Sequence, residues 1–499
     1  MSTVQPTAEA VAVKGDRVVK IGTTKEVNAL IGEGTRVVEL GGRTVVAGFV
    51  DCHVHVVDFG KFLSWVDLSG VSSIEEVQER VGDRVQKVPK GRWVIGNGWN
   101  EEHFVEKRCP SRWDLDVVSP DNPVVLYHGC GRVCVVNSRA LELAGVTKET
   151  AVPSGGVVEK DSKGEVLGVL REAATDLVWR AVPEPCEEEV LEAARLACER
   201  IVAAGIVGVH WIVTLPSEVA AIQKVVDAGL PLRARFIVPL KLLKDDGLGV
   251  ASAAGWGVEV DVDGYLAAKT AALKEPYIGD DGKGELFYTQ EELDCLVLEC
   301  QKAGVGLVLH VMGDEAVDMA LTSIEKAVVA VPKKCLCRLE HAAVLNAELA
   351  GRIKRLGLTV CVQPRCVVSE FSVWSAVERL GEERARWLYP LKTLFSEGVC
   401  VVGGSDCPME PLSPLEGVEA AVTRQPFAEQ QLTVDEALRM YTVNAAHASH
   451  EEDLKGSIEE GKLADFTVLS DDPRTVPHAK IGEIAVEMTI VGGKIVYQI

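Results

Sequence analysis

Apolar residues along the chain fall into two rhythms. Near the ends they form short β-type runs: Ala10 to Val13, Arg17 to Ile21 and Arg36 to Leu40, then Asp465 to Leu469, Val486 to Val491 and Lys494 to Tyr497. Lys14-Gly15-Asp16 and Gly492-Gly493 read as the intervening turns, because Gly tolerates the positive φ that tight hairpins require. These runs predict a small β-sandwich domain built from both termini, residues 1–47 and 463–499. Between them the pattern lengthens. Glu291 to Ala303 has helical spacing, Gly304 stops it, and Val305 to His310 is a continuous apolar strand. The same helix, Gly, strand order recurs in Ala347 to Leu356, Gly357 and Leu358 to Gln363, and again in Tyr389 to Ser396, Gly398 and Val399 to Val402.

That repetition predicts parallel βα units and an α/β fold. Eight candidate strands end near Asp51, His210, Pro239, Asp263, His310, His341, Gln363 and Gly403. Eight units close naturally into a TIM-like (β/α)8 barrel, assigned to residues 48–61 and 195–462, with chemistry at the strand C-termini. A doubly wound sheet would want a Gly-rich phosphate loop, and none is present. Residues 62–194 contain Trp93, Trp99, Trp113 and several prolines and fit neither rhythm. They read as a large insertion after the first barrel strand, a cap subdomain.

Charge narrows the partners. The 499 residues carry 52 Lys and Arg against 74 Asp and Glu, a formal net charge of −22. Nucleic acid and anionic membrane both need a basic face, so the expected partner is a small molecule, with homo-oligomerisation left open. The 14 cysteines include no CxxC pair; Cys335-Leu336-Cys337 is the closest approach, and reduced thiols are expected. Met1 to Val11 has no basic run followed by an apolar one, and no apolar run is long enough to span a bilayer. The expected compartment is cytoplasmic.

Candidate chemistry sits at the strand ends. Val50 to His55 is an apolar strand finishing in His53 and His55, whose period-two spacing points both imidazoles the same way toward one divalent ion. An HxH pair is weak evidence by itself. Only 10 histidines exist in the chain, however, and His310, His341 and the carboxylate Asp406 also fall at predicted strand C-termini. Core packing does not account for that arrangement. His210 also ends a strand and could face the barrel mouth, although a metal role for it is disfavoured; His447 and His450 lie in an Ala-rich helical stretch and read as surface or packing residues. Gly313 and Gly404 read as tight turns beside the site.

With these residues in place the chain resembles the amidohydrolase superfamily, amidohydrolase family 3, and within it the YtcJ-like and N-substituted formamide deformylase-like subgroup. The resemblance runs from Ala10 to Val496. It includes Gly48-Phe49-Val50-Asp51, Asn137-Ser138-Arg139-Ala140-Leu141, Gly168-Val169-Leu170-Arg171-Glu172, Asp263-Gly264, Thr270-Ala271-Ala272-Leu273, Pro276-Tyr277, Gln363-Pro364 and Gly461-Lys462-Leu463-Ala464-Asp465.

The resemblance implies one or two divalent ions, zinc being the expected metal. His53 and His55 would hold the more buried ion with Asp406, and His310 and His341 a second. Asp406 would also take a proton from the attacking water and pass it to the leaving nitrogen. The implied reaction is hydrolysis of a C–N bond in an amide, formamide, urea or cyclic amide. A deaminase, decarboxylase or lactonase could use the same ligands; a non-catalytic scaffold is disfavoured because every ligand is present. The fourth strand departs from the family pattern, with Glu259 where a carboxylated lysine commonly bridges two ions. A glutamate could bridge directly, or could serve a one-ion site as an acid, with Glu172 a weaker candidate for that task. Trp99, Arg132 and Gln363 are the candidate substrate contacts, with a buried cap tryptophan the equal alternative for Trp99 and an exposed salt bridge the commoner fate of an arginine such as Arg132; Trp211 alters the pocket wall where relatives often have aspartate.

Overall fold

A computed structural model describes residues 7–245, 247, 249–253, 257–332 and 336–499. Cys335 and the first six residues of the N-terminal stretch lie outside the described residues. Eight parallel strands form one sheet: β1 (Phe49–Val54), β2 (Ile206–Ile212), β3 (Arg233–Pro239), β4 (Gly257–Asp261), β5 (Gly306–Val311), β6 (Cys337–His341), β7 (Thr359–Val362) and β8 (Cys400–Gly403). Each lies beside its neighbours in sequence. A parallel bridge from Val54 to Cys407 brings the last strand round to the first, so the sheet is a closed (β/α)8 barrel.

The helix–Gly–strand rhythm has a local cause. Gly304, Gly357 and Gly398 take φ of 70°, 63° and 74° at helix C-termini, a left-handed conformation that costs glycine least. Thr289 opens the helix Gln290–Ala303 through a reciprocal capping box with Glu292. The strands are Val-rich because both faces are covered; every residue of β1 and of β2 is buried. Gly313 and Gly404 serve close approach rather than turning. A Cβ on Gly313 would fall 1.9 Å from the Ala272 carbonyl oxygen, and one on Gly404 would fall 2.7 Å from the His53 backbone nitrogen.

A four-stranded antiparallel sheet joins Thr44–Ala47 to Phe466–Leu469, Val486–Val491 and Lys494–Gln498. The hairpin Ala10–Lys14 with Arg17–Gly22 packs on it through Val18, Phe466 and Ile490, which gives the sandwich. One expected strand is corrected: Arg36 to Leu40 has no regular structure. Val37 and Val38 are exposed, and β-propensity has no effect without a partner to pack on. Thr44–Ala47 takes the edge instead, because Val46 and Ala47 find buried positions there.

Residues Lys61–Glu188 form a separate compact unit, the remainder of the chain being the other. The smaller unit holds a six-stranded mixed sheet and its own apolar cores. Its motif residue Asn137 is fully buried. The Asn137 amide donates to the Ser119 and Asn122 carbonyls, both at 2.8 Å, and accepts from the Val124 and Ala140 N–H groups. No disulfide is formed and no helix is long and apolar enough to cross a membrane, both among the described residues.

The loop after β4 depends on one carboxylate. Asp263 accepts the backbone N–H groups of Ala272, Met312 and Gly313, each at 2.8 Å, binding that loop to the end of β5. Asp263→Ala leaves three buried donors unmatched and should destabilise the protein by roughly 3 kcal/mol or more. Denaturant unfolding checks this; an unchanged midpoint would mean that water replaces the carboxylate.

Candidate metal centre

The site gathers at the C-terminal ends of the barrel strands. β1 carries His53 as its penultimate residue and delivers His55 just beyond its end, and both reach one oxygen of Asp406, which follows β8. Asp406 Oδ1 is 3.1 Å from His55 Nε2 and 3.4 Å from His53 Nε2. These three side chains form the one group of potential metal donors that lie within 4.8 Å of one another among the described residues. His341 and His310 continue the line. Ring centroids are 5.3 Å apart for His55 and His53, 5.5 Å for His53 and His341, and 4.7 Å for His341 and His310.

Backbone conformation aims two of these residues. His341, Ala342 and Asp406 have φ of 62°, 42° and 58°, a region that costs a non-glycine residue on the order of 1 kcal/mol or more. In an ideal strand Glu340 and His341 would face opposite sides. The left-handed turn at His341 lets both reach the same centre: Glu340 touches His53, and His341 meets His310 edge to face.

Hydrogen bonds choose which ring nitrogen is free. His53 Nδ1 lies 2.7 Å from Glu340 Oε2, and His341 Nδ1 lies 2.7 Å from Gln363 Oε1. In each ring the Nδ1–H is therefore the donor, and Nε2 keeps its lone pair in the neutral form. His55 Nδ1 and both nitrogens of His310 are buried with no hydrogen-bond partner. Buried polar atoms left without partners cost about 1–3 kcal/mol each, and an ion bound to one nitrogen of His310 would relieve part of that cost. Neutral imidazoles with carboxylate oxygen suit zinc and neighbouring transition metals. The residues present fit a divalent ion.

The rings differ in charge. Burial opposes a proton on His53, but Glu340 and Asp406 flank it and together hold its pKa well above the ordinary value. Burial pushes His310 down to about 4, with His53 adding to the shift, and pushes His341 down to about 3, helped by His310. Burial also raises Asp406, yet hydrogen bonds from His53 and His55 outweigh it and keep the carboxyl well below the usual range. Glu259 is buried on β4 within electrostatic reach of His53 and His55, and desolvation pushes it up to about 7.

Other expected site residues take different places. Trp99 is fully buried in the smaller unit, where its indole N–H donates to the Leu126 carbonyl at 3.0 Å and its ring packs on His128. It is a core residue there and not a substrate contact, because its polar atom is already satisfied. Arg132 is exposed and lies 3.6 Å from Glu172, which is also exposed. Glu172 thus pairs within the smaller unit. Gln363 is completely buried and orients His341 in place of the expected substrate contact. Trp211 is fully buried and packs on Phe236. His210 is buried too, with Nε2 2.8 Å from Ser449 Oγ, and His447 and His450 are exposed. Glu340 on β6 is a site residue absent from the expected set; its signal in the sequence is a charged residue one position before His341 in a strand destined for burial.

A closed parallel barrel with imidazoles and a carboxylate collected at its strand C-termini defines a metal-dependent hydrolase. The amidohydrolase family pattern matches residues 36–497. The Bacillus subtilis protein YtcJ, itself assigned to the amidohydrolases, is 35% identical over 93% of this chain and 91% of its own length. The N-substituted formamide deformylase of Arthrobacter pascens is 30% identical over 98% of this chain and 95% of its own. Among solved structures, an uncharacterized metal-dependent hydrolase of Pyrococcus furiosus superimposes with a TM-score of 0.78 at 30% identity, covering 93% of this chain and 95% of that one. The chain belongs to the amidohydrolase family and is a hydrolase acting on carbon–nitrogen bonds.

Metal uptake should report the proton on His53, since a ligating imidazole must be neutral. Zinc added to metal-free protein at pH 7 should release about one proton per ion, and affinity should fall as the pH is lowered. Calorimetry in buffers of differing ionisation enthalpy measures this. By linkage, the raised His53 value stabilises the metal-free fold fully below its unfolded pKa of ~6.5, and that contribution is lost as pH rises through the folded value. Uptake without proton release would show His53 to be neutral beforehand.

Proposed function

We propose that this enzyme hydrolyses a C–N bond in a small amide, formamide, urea or cyclic amide, using a divalent ion, zinc by preference, held by His53, His55 and Asp406. The observation that carries the reading is the convergence of both imidazoles on Asp406 Oδ1 in a chain of this family. His310 and His341, with Glu259, would hold a second ion. A bound ion would supply Lewis acidity, bringing the ionisation of water toward neutral pH and polarising a carbonyl oxygen.

The chain's own groups do the rest. Asp406 Oδ1 engages the two imidazoles, which leaves Oδ2 to accept the proton of the attacking water and return it to the leaving nitrogen. The low pKa of Asp406 keeps it ionised for the first transfer. Gln363 holds His341 in one orientation, so the ring does not turn during the reaction. The excess of acidic residues supports a small-molecule substrate over nucleic acid or a membrane surface.

A second reading has specific support. Only His53, His55 and Asp406 fall within one compact donor set among the described residues, and Glu259 has a carboxyl near neutrality. Both favour a one-ion site with Glu259 as acid, the arrangement suited to a deaminase. Metal analysis of wild type beside Glu259→Ala separates the two. Two equivalents falling to one supports a bridge, whereas one unchanged equivalent with lost turnover supports acid catalysis. In either case Asp406→Asn should lower kcat by about 10²–10⁴-fold on a substrate found by screening formamides, ureas and cyclic amides. Turnover at the wild-type rate would refute the proton-transfer role.

A further inference from the structure

The barrel interior holds a buried ion pair that the reaction above does not use. Arg338 and Glu340 lie two residues apart on β6, with Arg338 Nε in ion-pair contact with Glu340 Oε1. Glu340 is completely buried, and an isolated carboxylate there would be strongly disfavoured. Its other oxygen, Oε2, takes the hydrogen bond from His53 Nδ1. Arg338 is itself anchored: Nη2 donates to the Cys52 carbonyl at 3.0 Å, and Nη1 donates to His210 Nδ1. His210 in turn bonds Ser449 through Nε2. A continuous polar column therefore runs from Ser449 through His210, Arg338 and Glu340 to His53.

We propose that Glu340, held by Arg338, is a positioning residue for the metal: its carboxylate takes the Nδ1–H of His53, fixes that tautomer and aims the Nε2 lone pair at the space shared with His55 and Asp406. The inference rests on the metal reading given above. A neutral imidazole has one N–H and one lone pair, and the partner of the first decides the direction of the second. A carboxylate behind the ring also makes it a stronger donor. His55 has no such partner, since its Nδ1 is buried and unbonded. His53 is thus the pre-oriented member of the pair, and an arriving ion has to order only the other.

The alternative is that the ion pair merely fills the lumen, and a double variant separates the two roles. Glu340→Leu leaves the buried Arg338 without its counter-ion and should lower the thermal midpoint as well as zinc affinity. Adding Arg338→Met removes the orphaned charge, and replacing a whole buried pair by apolar residues is commonly neutral for stability. The expected result is a double variant whose midpoint recovers while its zinc dissociation constant, measured by chelator competition, stays about 10–100-fold weaker than wild type. Glu340→Gln, which keeps an acceptor oxygen but no charge, should fall between. In metal-free protein labelled with ¹⁵N-histidine and held at a pH high enough for His53 to be neutral, that ring should show the Nδ1–H pattern in wild type, and a lone Nε2–H form should appear only in Glu340→Leu. A recovered midpoint together with wild-type zinc affinity would overturn the proposal, as would an unchanged His53 spectrum in Glu340→Leu. Wild-type protein that takes up no zinc would overturn the metal reading and this inference with it.

Discussion

Everything at the site depends on how the first strand meets the last. Asp51 Oδ1 accepts the backbone N–H of His53 at 3.1 Å and that of Ser405 at 2.9 Å, so one carboxylate holds both strand ends. The Asp406 N–H donates to the His53 carbonyl at 2.8 Å, and the His55 N–H donates to Cys407 at 3.0 Å. These bonds set the register in which His55 meets Asp406 across 351 positions of sequence. A slip of one residue would move either partner by about 3.3 Å and send its side chain to the other face. The donor set is therefore a property of barrel closure and exists on neither strand alone.

Closure also concentrates charge in a lumen that resists it. Four imidazoles lie in line, yet they do not share one protonation state. Two carboxylates flank His53 and favour its cationic form, whereas burial lowers both His310 and His341, with His53 adding to the first shift and His310 to the second, and favours their neutral forms. The site is thus asymmetric before any ion arrives. One end already carries a positive charge matched by Glu340 and Asp406, and the other presents uncharged nitrogen.

Much of this was legible in the sequence, for identifiable reasons. Strands buried on both faces must be apolar throughout, and helices in such folds often end at a left-handed glycine, so β5, β7 and β8 announced themselves. Histidine is scarce here, which made its recurrence at His53, His310 and His341 informative. What did not show was anything requiring a partner to interpret. Arg36 to Leu40 has strand composition but nothing to pair with, and Thr44–Ala47 looks weaker yet borders Phe466–Leu469. Trp99 and Gln363 looked like substrate contacts because residue type does not reveal which polar atoms are already satisfied. Glu340 stood beside a noticed histidine, and only the backbone turn at His341 reveals that both residues serve one centre.

The edge strand Thr44–Ala47 carries a consequence for how the molecule is made. Its hydrogen-bonding partner, Phe466–Leu469, is translated more than four hundred codons later. Throughout that interval the emerging chain carries Val45 and Val46 without their strand partner. At ribosomal rates of about 5–20 residues per second the delay lasts tens of seconds, far longer than hydrophobic collapse takes. The early segment must be shielded by a chaperone or by transient non-native burial. Active enzyme can therefore appear only after Phe466–Leu469 has left the ribosome.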